Sequence, residues 1–166
     1  MPNNISTKVK LFPIRTFLLA GILLVMSFIV TWGYLLKDIN NYSNNASSFN
    51  FASIGHSVIK LEVASTSELR VRGLGGRDMM SPNEGMLFVF DSSGIYSFWM
   101  KDMRFPIDIF WINAEEKVVF IKRNATPESF PETFTPDVPA KFVVETVSGF
   151  SIKNDVKNGD KIYFFR

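Results

Sequence analysis

A β-rich α+β domain, its small sheet barrel-like or sandwich-like with one short helix, preceded by one transmembrane helix, is what this sequence predicts. Three observations carry the prediction: an uncharged apolar run near the N-terminus, a series of short segments rich in β-branched and aromatic residues beyond it, and a single helix-capping pattern that ends in glycines. A chain of 166 residues is sized for one such domain.

The first element is the run Phe17 to Leu36, FLLAGILLVMSFIVTWGYLL, which holds no charge. As a helix rising about 1.5 Å per residue, it matches a hydrocarbon core roughly 30 Å thick. Trp32 and Tyr34 lie near its end, where amphipathic rings favour the headgroup region. Lys8, Lys10 and Arg15 precede it without an acid, so the positive-inside rule puts the N-terminus in the cytoplasm and the remainder outside. The run exceeds the roughly 7 to 15 apolar residues of a cleaved signal peptide, and no A-x-A-like triplet follows Leu36. An uncleaved anchor in the cell membrane is therefore expected; cleavage would instead release a secreted form. The organisation reads as a basic cytoplasmic tail over 1–16, the anchor over 17–36, a flexible Asn- and Ser-rich linker over 37–53, and an extracytoplasmic domain over 54–166.

Charge and composition then narrow the function. From Lys37 onward there are 15 basic and 16 acidic residues, a balance of −1, so the basic pI belongs to the tail. The expected partners are the membrane and a small molecule or envelope component, with no nucleic acid. The absence of cysteine rules out a disulfide framework, a thiolate metal site and a cysteine nucleophile. His56 is the only histidine and sits at the linker boundary beside Gly55, where an exposed or strand-edge residue is expected rather than a catalytic base. No metal, cofactor or catalytic residue is predicted.

The strands expected in the outer domain are Ser57 to Ala64, Met86 to Phe90, Ile95 to Lys101, Ile107 to Ile112, Val118 to Lys122, Phe142 to Val147 and Lys161 to Phe165, separated by turn signals such as Asn158-Gly159-Asp160. Between the first two, Ser65-x-x-Glu68 is a capping-box pattern, and Gly73, Gly75 and Gly76 end the run, which predicts a helix from Thr66 to Leu74. Arg72, four residues after Glu68, is expected as its surface partner. A further helical turn fits Phe150 to Val156. Pro127, Pro131, Pro136 and Pro139 fall within Asn124 to Ala140, which reads as a stiff surface connection or, functionally, as a lid over one end of the barrel. The methionines and aromatics, Met79 and Met80 among them, read as core or loop packing.

Four blocks in order, Ser67-Glu68-Leu69-Arg70-Val71-Arg72-Gly73-Leu74-Gly75-Gly76-Arg77, Gly85-Met86-Leu87-Phe88-Val89-Phe90, Ser97-Phe98-Trp99-Met100-Lys101 and Phe105-Pro106-Ile107-Asp108-Ile109, resemble the DUF192 family of prokaryotic proteins of unknown function. Phe142-Val143-Val144-Glu145, Gly149 and Gly159-Asp160 look like its closing elements, so that the resemblance covers about residues 58–165. Gly75 stands where the family usually has methionine, and Asp102-Met103 where it usually has Asn-Thr. The resemblance implies a compact β-rich domain with a short helix, often exported or anchored, and no established activity.

The polar residues on matching positions are Arg70, Arg77, Lys101, Asp108 and Glu145, accompanied by Trp99 and Met100. Strand alternation puts Ser97, Trp99 and Lys101 on one face and Phe98 and Met100 on the other, while Asp108 must share a face with Phe110. The expectation is that Arg70, Arg77, Trp99, Lys101, Asp108 and Glu145 converge at one end of the barrel as a binding pocket, because charges near a core are normally paired or functional. The structural alternative has both acids bridging loops through the arginines and binding nothing. The functional expectation is a membrane-anchored binding or accessory domain of unknown ligand. The alternatives are a glycan hydrolase using Asp108 and Glu145 as a carboxylate pair, or an interaction domain working through the Pro-rich loop.

Overall fold

The computed structural model describes residues 25–34 and 49–166. Residues 25–34 are helical (α1) and expose Val25, Phe28, Ile29 and Trp32, with Thr31 Oγ1 donating to the Ser27 and Phe28 carbonyls at 2.9 and 3.0 Å. The rest of the expected anchor, the basic tail and most of the linker lie outside the described residues. Among the described residues no helix is long and apolar enough to cross a membrane.

The remaining described residues belong to a second unit. Its main sheet has seven strands in the order β6-β5-β8-β3-β2-β1-β9, with β1 Phe51–Ile54, β2 Ser57–Ala64, β3 Glu84–Gly94, β5 Ile107–Ile112, β6 Val118–Ala125, β8 Ala140–Val147 and β9 Tyr163–Phe165. Only β2 and β3 pair in parallel. A parallel pair needs a crossover, and residues 65–83 with helix α2 (Ser67–Arg72) supply it. β4 (Phe98–Trp99) and β7 (Thr133–Phe134) form a separate two-stranded ribbon. A short helix, α3 (Phe150–Lys153), joins β8 to the last strand.

The main sheet curls into a half-barrel. Near its edge strand β6, Val118 N–H donates to Asp160 O at 2.9 Å, Ile162 N–H to Glu116 O at 2.8 Å, and Lys117 bridges to Lys161. Residues 160–162 run directly into β9, the opposite edge, so the two ends of the sheet are drawn together.

Both faces of the central strands are buried, which explains why β5 reads as an almost unbroken apolar run. Leu87, Val89, Phe110, Ile112, Phe142 and Val144 fill the concave interior together with Phe150 and Ile162. Met86, Phe88, Ile107, Ile109, Trp111 and Val143 point the other way into a second core, capped by Leu74, Met100 and Phe134. Trp111 Nε1 donates to Tyr96 O at 2.7 Å, and Phe98 lies edge-on to both Phe88 and Trp111, so the aromatic layer is locked by geometry as well as burial.

Several sequence expectations are corrected here. β1 begins at Phe51, inside the stretch expected as linker, because it gains partners on both sides, β2 and β9. The helix N-cap is Thr66 rather than Ser65: the Thr66 side chain accepts from Leu69 N–H at 3.3 Å. The expected strand over Ile95 to Lys101 contracts to Phe98–Trp99. The Pro-rich stretch holds a 3-10 turn at Pro127–Ser129 and the strand β7, and buries Phe134 against the convex face of the sheet. Met79 is exposed at 78%, not packed. The β1–β2 turn requires glycine: Gly55 has φ +57, and a Cβ there would run into the Asn154 carbonyl beyond α3.

Candidate functional site

On the convex side of the sheet, α2 with its glycine-rich exit lies along one flank and the 95–103 segment along the other. Between them opens a cleft of about 380 Å³. Buried Leu74, Phe88 and Glu145 form its floor; Trp99, Lys101 and Arg72 stand exposed around its rim. The two flanks are tied where Gly76 N–H donates to Asp102 O at 2.8 Å. A Cβ at Gly75 would sit 3.0 Å from the Arg72 carbonyl oxygen and 3.5 Å from Asp102 Cβ, so the two flanks approach closely here.

Arg70 is a wall of the cleft and is held in place. Its Nη1 donates to the Ser65 and Val89 carbonyls at 2.7 and 2.9 Å, its Nη2 to Ser67 Oγ at 3.3 Å, and its guanidinium lies 5.3 Å from the centre of the Phe90 ring. Phe90 in turn stacks on Tyr96 at 3.5 Å. Trp99, 48% exposed, meets Phe130 edge-on at 6.2 Å, so the Pro-rich stretch braces the opposite rim.

Glu145 differs from every other acid described in the fold. Strand alternation on β8 turns it to the convex side, opposite Met86 of β3 and Ile109 of β5 in register. It is 4% exposed, and Oε2 is buried with no hydrogen-bond partner among the described residues. Burial pushes its carboxyl up to about 8, against the opposing pull of the Arg77 charge. At neutral pH the group therefore holds its proton.

Of the residues expected to converge, Arg70, Trp99, Lys101 and Glu145 share this cleft. Arg77 lies one loop away, where Nη2 donates to Glu62 Oε1 at 2.7 Å; that contact raises Arg77 and holds the Glu62 carboxylate low. Asp108 is elsewhere. It pairs with Thr146, the neighbour of Glu145 on β8, and residues in register share a face, so Asp108 and Glu145 point to opposite sides of the sheet. Asp108 is fully buried and its oxygens accept from Asn124 N–H at 2.8 Å, Ser151 N–H at 2.9 Å and Ser151 Oγ at 2.6 Å. It joins β5, β6 and the first turn of α3. A carboxylate pair acting on one glycosidic bond is thus excluded by geometry. Arg72 also departs from expectation: among the described residues no ion pair joins it to Glu68, and it borders the cleft while its charge acts on Glu62 of β2. Sequence reasoning missed the contributions of Arg72, Phe88, Phe98 and Met103 to this site. Their apolar members carry no signal that separates a cleft wall from core. His56 is exposed in the β1–β2 turn.

A family model with the description Uncharacterized ACR matches residues 50–164. The chain belongs to the DUF192 family. A crystal structure of a protein of unknown function from Novosphingobium aromaticivorans DSM 12444 is similar to this DUF192 domain with 26% identity and a TM-score of 0.65, over 68% of this chain and 83% of that one. A second, described as a candidate transcription regulator from Sinorhizobium meliloti 1021, has 29% identity and a TM-score of 0.59 over 65% and 81%. No curated protein shows a significant match.

Proposed function

We propose that this DUF192 domain is a small-molecule binding module whose site is the cleft floored by Glu145. One observation carries the reading: a carboxyl whose Oε2 has no partner among the described residues lies buried at the base of a concave, aromatic-lined cleft. An unsatisfied buried polar group costs about 1 to 3 kcal/mol, and a ligand that supplies the missing hydrogen bond recovers that cost. Clefts of this size, mostly apolar with a few convergent polar groups, are the usual form of small-molecule sites.

The module acts outside the membrane, anchored through 17–36 with the basic N-terminus inside. Supporting this are the uncharged run itself and the three basic residues before it. The regulatory description of the Sinorhizobium protein does not extend to nucleic acid here, since the chain beyond the anchor carries a balance of −1.

Thermal shift of the detergent-solubilised full chain against a panel of aromatic acids, amines, sugars and nucleotides tests the binding reading. Stabilisation by one class, abolished by Glu145→Leu, is expected; equal shifts in both proteins would remove Glu145 from the site. Protease added outside intact cells is expected to degrade the domain, and full protection would refute the topology.

A further inference from the structure

The geometry points to small organic anions with an aromatic or aliphatic body as the ligands of this cleft, the body lying among Phe88, Phe98 and Trp99 and the anionic head accepting a hydrogen bond from Glu145 in the field of Lys101. The inference rests on the reading of the cleft as a binding site and adds the charge of its occupant.

The sign follows from how the charges are distributed. Arg70, Arg72 and Lys101 line the cleft against one acid, and that acid is at the floor. Arg70 is occupied by the Ser65 and Val89 carbonyls and the charge of Arg72 acts on Glu62, whereas among the described residues Lys101 has no ion-pair partner. An incoming amine would have to pass Lys101 and then ionise a carboxyl that sits out of water. An anion is drawn in by the rim and meets an O–H donor at the floor, the role a neutral buried acid fills in an oxyanion site. A bound anion beside Glu145 also disfavours its ionisation, so occupant and protonation state reinforce each other.

The groups that bear on the Glu145 proton can be named element by element. Arg77, from the loop after α2, favours ionisation and is itself engaged by Glu62 of β2, with Glu84 of β3 also acting on it. Arg70 and Arg72 of α2 and Lys101 after β4 share the cleft. The register partners on β3 and β5 are the apolar Met86 and Ile109. Burial outweighs the opposing charge of Arg77, and the carboxyl titrates near 8.

Calorimetry of the full chain with 3-phenylpropionate and phenethylamine, one aromatic body with opposite charges, tests the inference. Phenylpropionate is expected to bind and to lose about tenfold in affinity between pH 7 and pH 9, as the protonated fraction of Glu145 falls from about 0.9 to about 0.1. Glu145→Gln, which keeps an N–H donor, is expected to retain binding and lose this pH dependence; Lys101→Ala is expected to weaken binding about fivefold. Phenethylamine binding more tightly, with affinity rising with pH, would overturn the anion preference and leave a binding site standing. Failure of both probes would overturn the site and the inference together.

Discussion

Asp108 and Glu145 are two buried carboxyls on adjacent strands, one on each face of the same sheet, and they have opposite fates. Asp108, 0% exposed, meets three donors, two of them from the first turn of α3. Glu145, 4% exposed, has an oxygen with no donor among the described residues and is neutralised by burial. The same carboxyl chemistry at similar depth is a structural clamp in one place and an open valence in the other. Depth does not decide which; the supply of N–H and O–H groups does. On the concave side α3 turns its backbone toward the acid. On the convex side the flanks stand apart and leave the acid at the base of a cleft.

The contrast can be broken most forcefully through pH. Glu145 moves from an ordinary value near 4.5 to about 8, so the folded domain keeps a proton that the unfolded chain releases between these values. Its contribution is fully present below about pH 4.5 and is lost as pH rises through about 8. The stability difference between wild type and Glu145→Gln is expected to fall by about 4 kcal/mol across that window, because each tenfold change in an ionisation constant on folding is worth about 1.4 kcal/mol. Urea unfolding of both proteins at pH 5 and pH 8.5 measures it, and parallel profiles would mean that Glu145 is hydrated.

Truncating the satisfied acid comes next. Asp108→Ala leaves the Ser151 hydroxyl and N–H and the Asn124 N–H without their acceptor, and is expected to cost about 3 kcal/mol in the same unfolding measurement. A loss below about 1 kcal/mol would show that water enters and that the clamp is not needed. The smallest effect has the opposite sign. Glu145→Leu removes a buried polar group whose Oε2 has no partner among the described residues, and is expected to stabilise the unliganded domain by about 1 kcal/mol at pH 4.5, where ionisation on folding does not yet add to the difference. Destabilisation would mean that Glu145 has a structural partner after all.

How much of this is legible beforehand depends on the range of the interactions. β2 and β5 appear with the expected bounds, Ser57–Ala64 and Ile107–Ile112, because apolar patterning and turn residues act locally. Along 98–101 the deeper burial of Phe98 and Met100 than of Trp99 and Lys101 follows the expected alternation, although only Phe98–Trp99 is a strand and Phe98 shares the cleft with Trp99 and Lys101. β1 is not visible: its Asn- and Ser-rich surroundings resemble a tether until β2 and β9 pair with it. Arg72 looks like a partner for Glu68 by helical spacing, yet the fold gives it the rim of a cleft.

By itself the amino-acid order determined the β-rich class, the family and the set of polar residues worth watching, including four that do meet in one cleft. It also determined that Asp108 shares a face with Phe110. Only the tertiary structure decided that Asp108 and Glu145 are on opposite faces, because that follows from the register of β5 against β8. It alone decided which acid is satisfied as well. The donors to Asp108 lie 16 and 43 positions away, and such distant pairings are set by how the whole chain packs rather than by any local pattern.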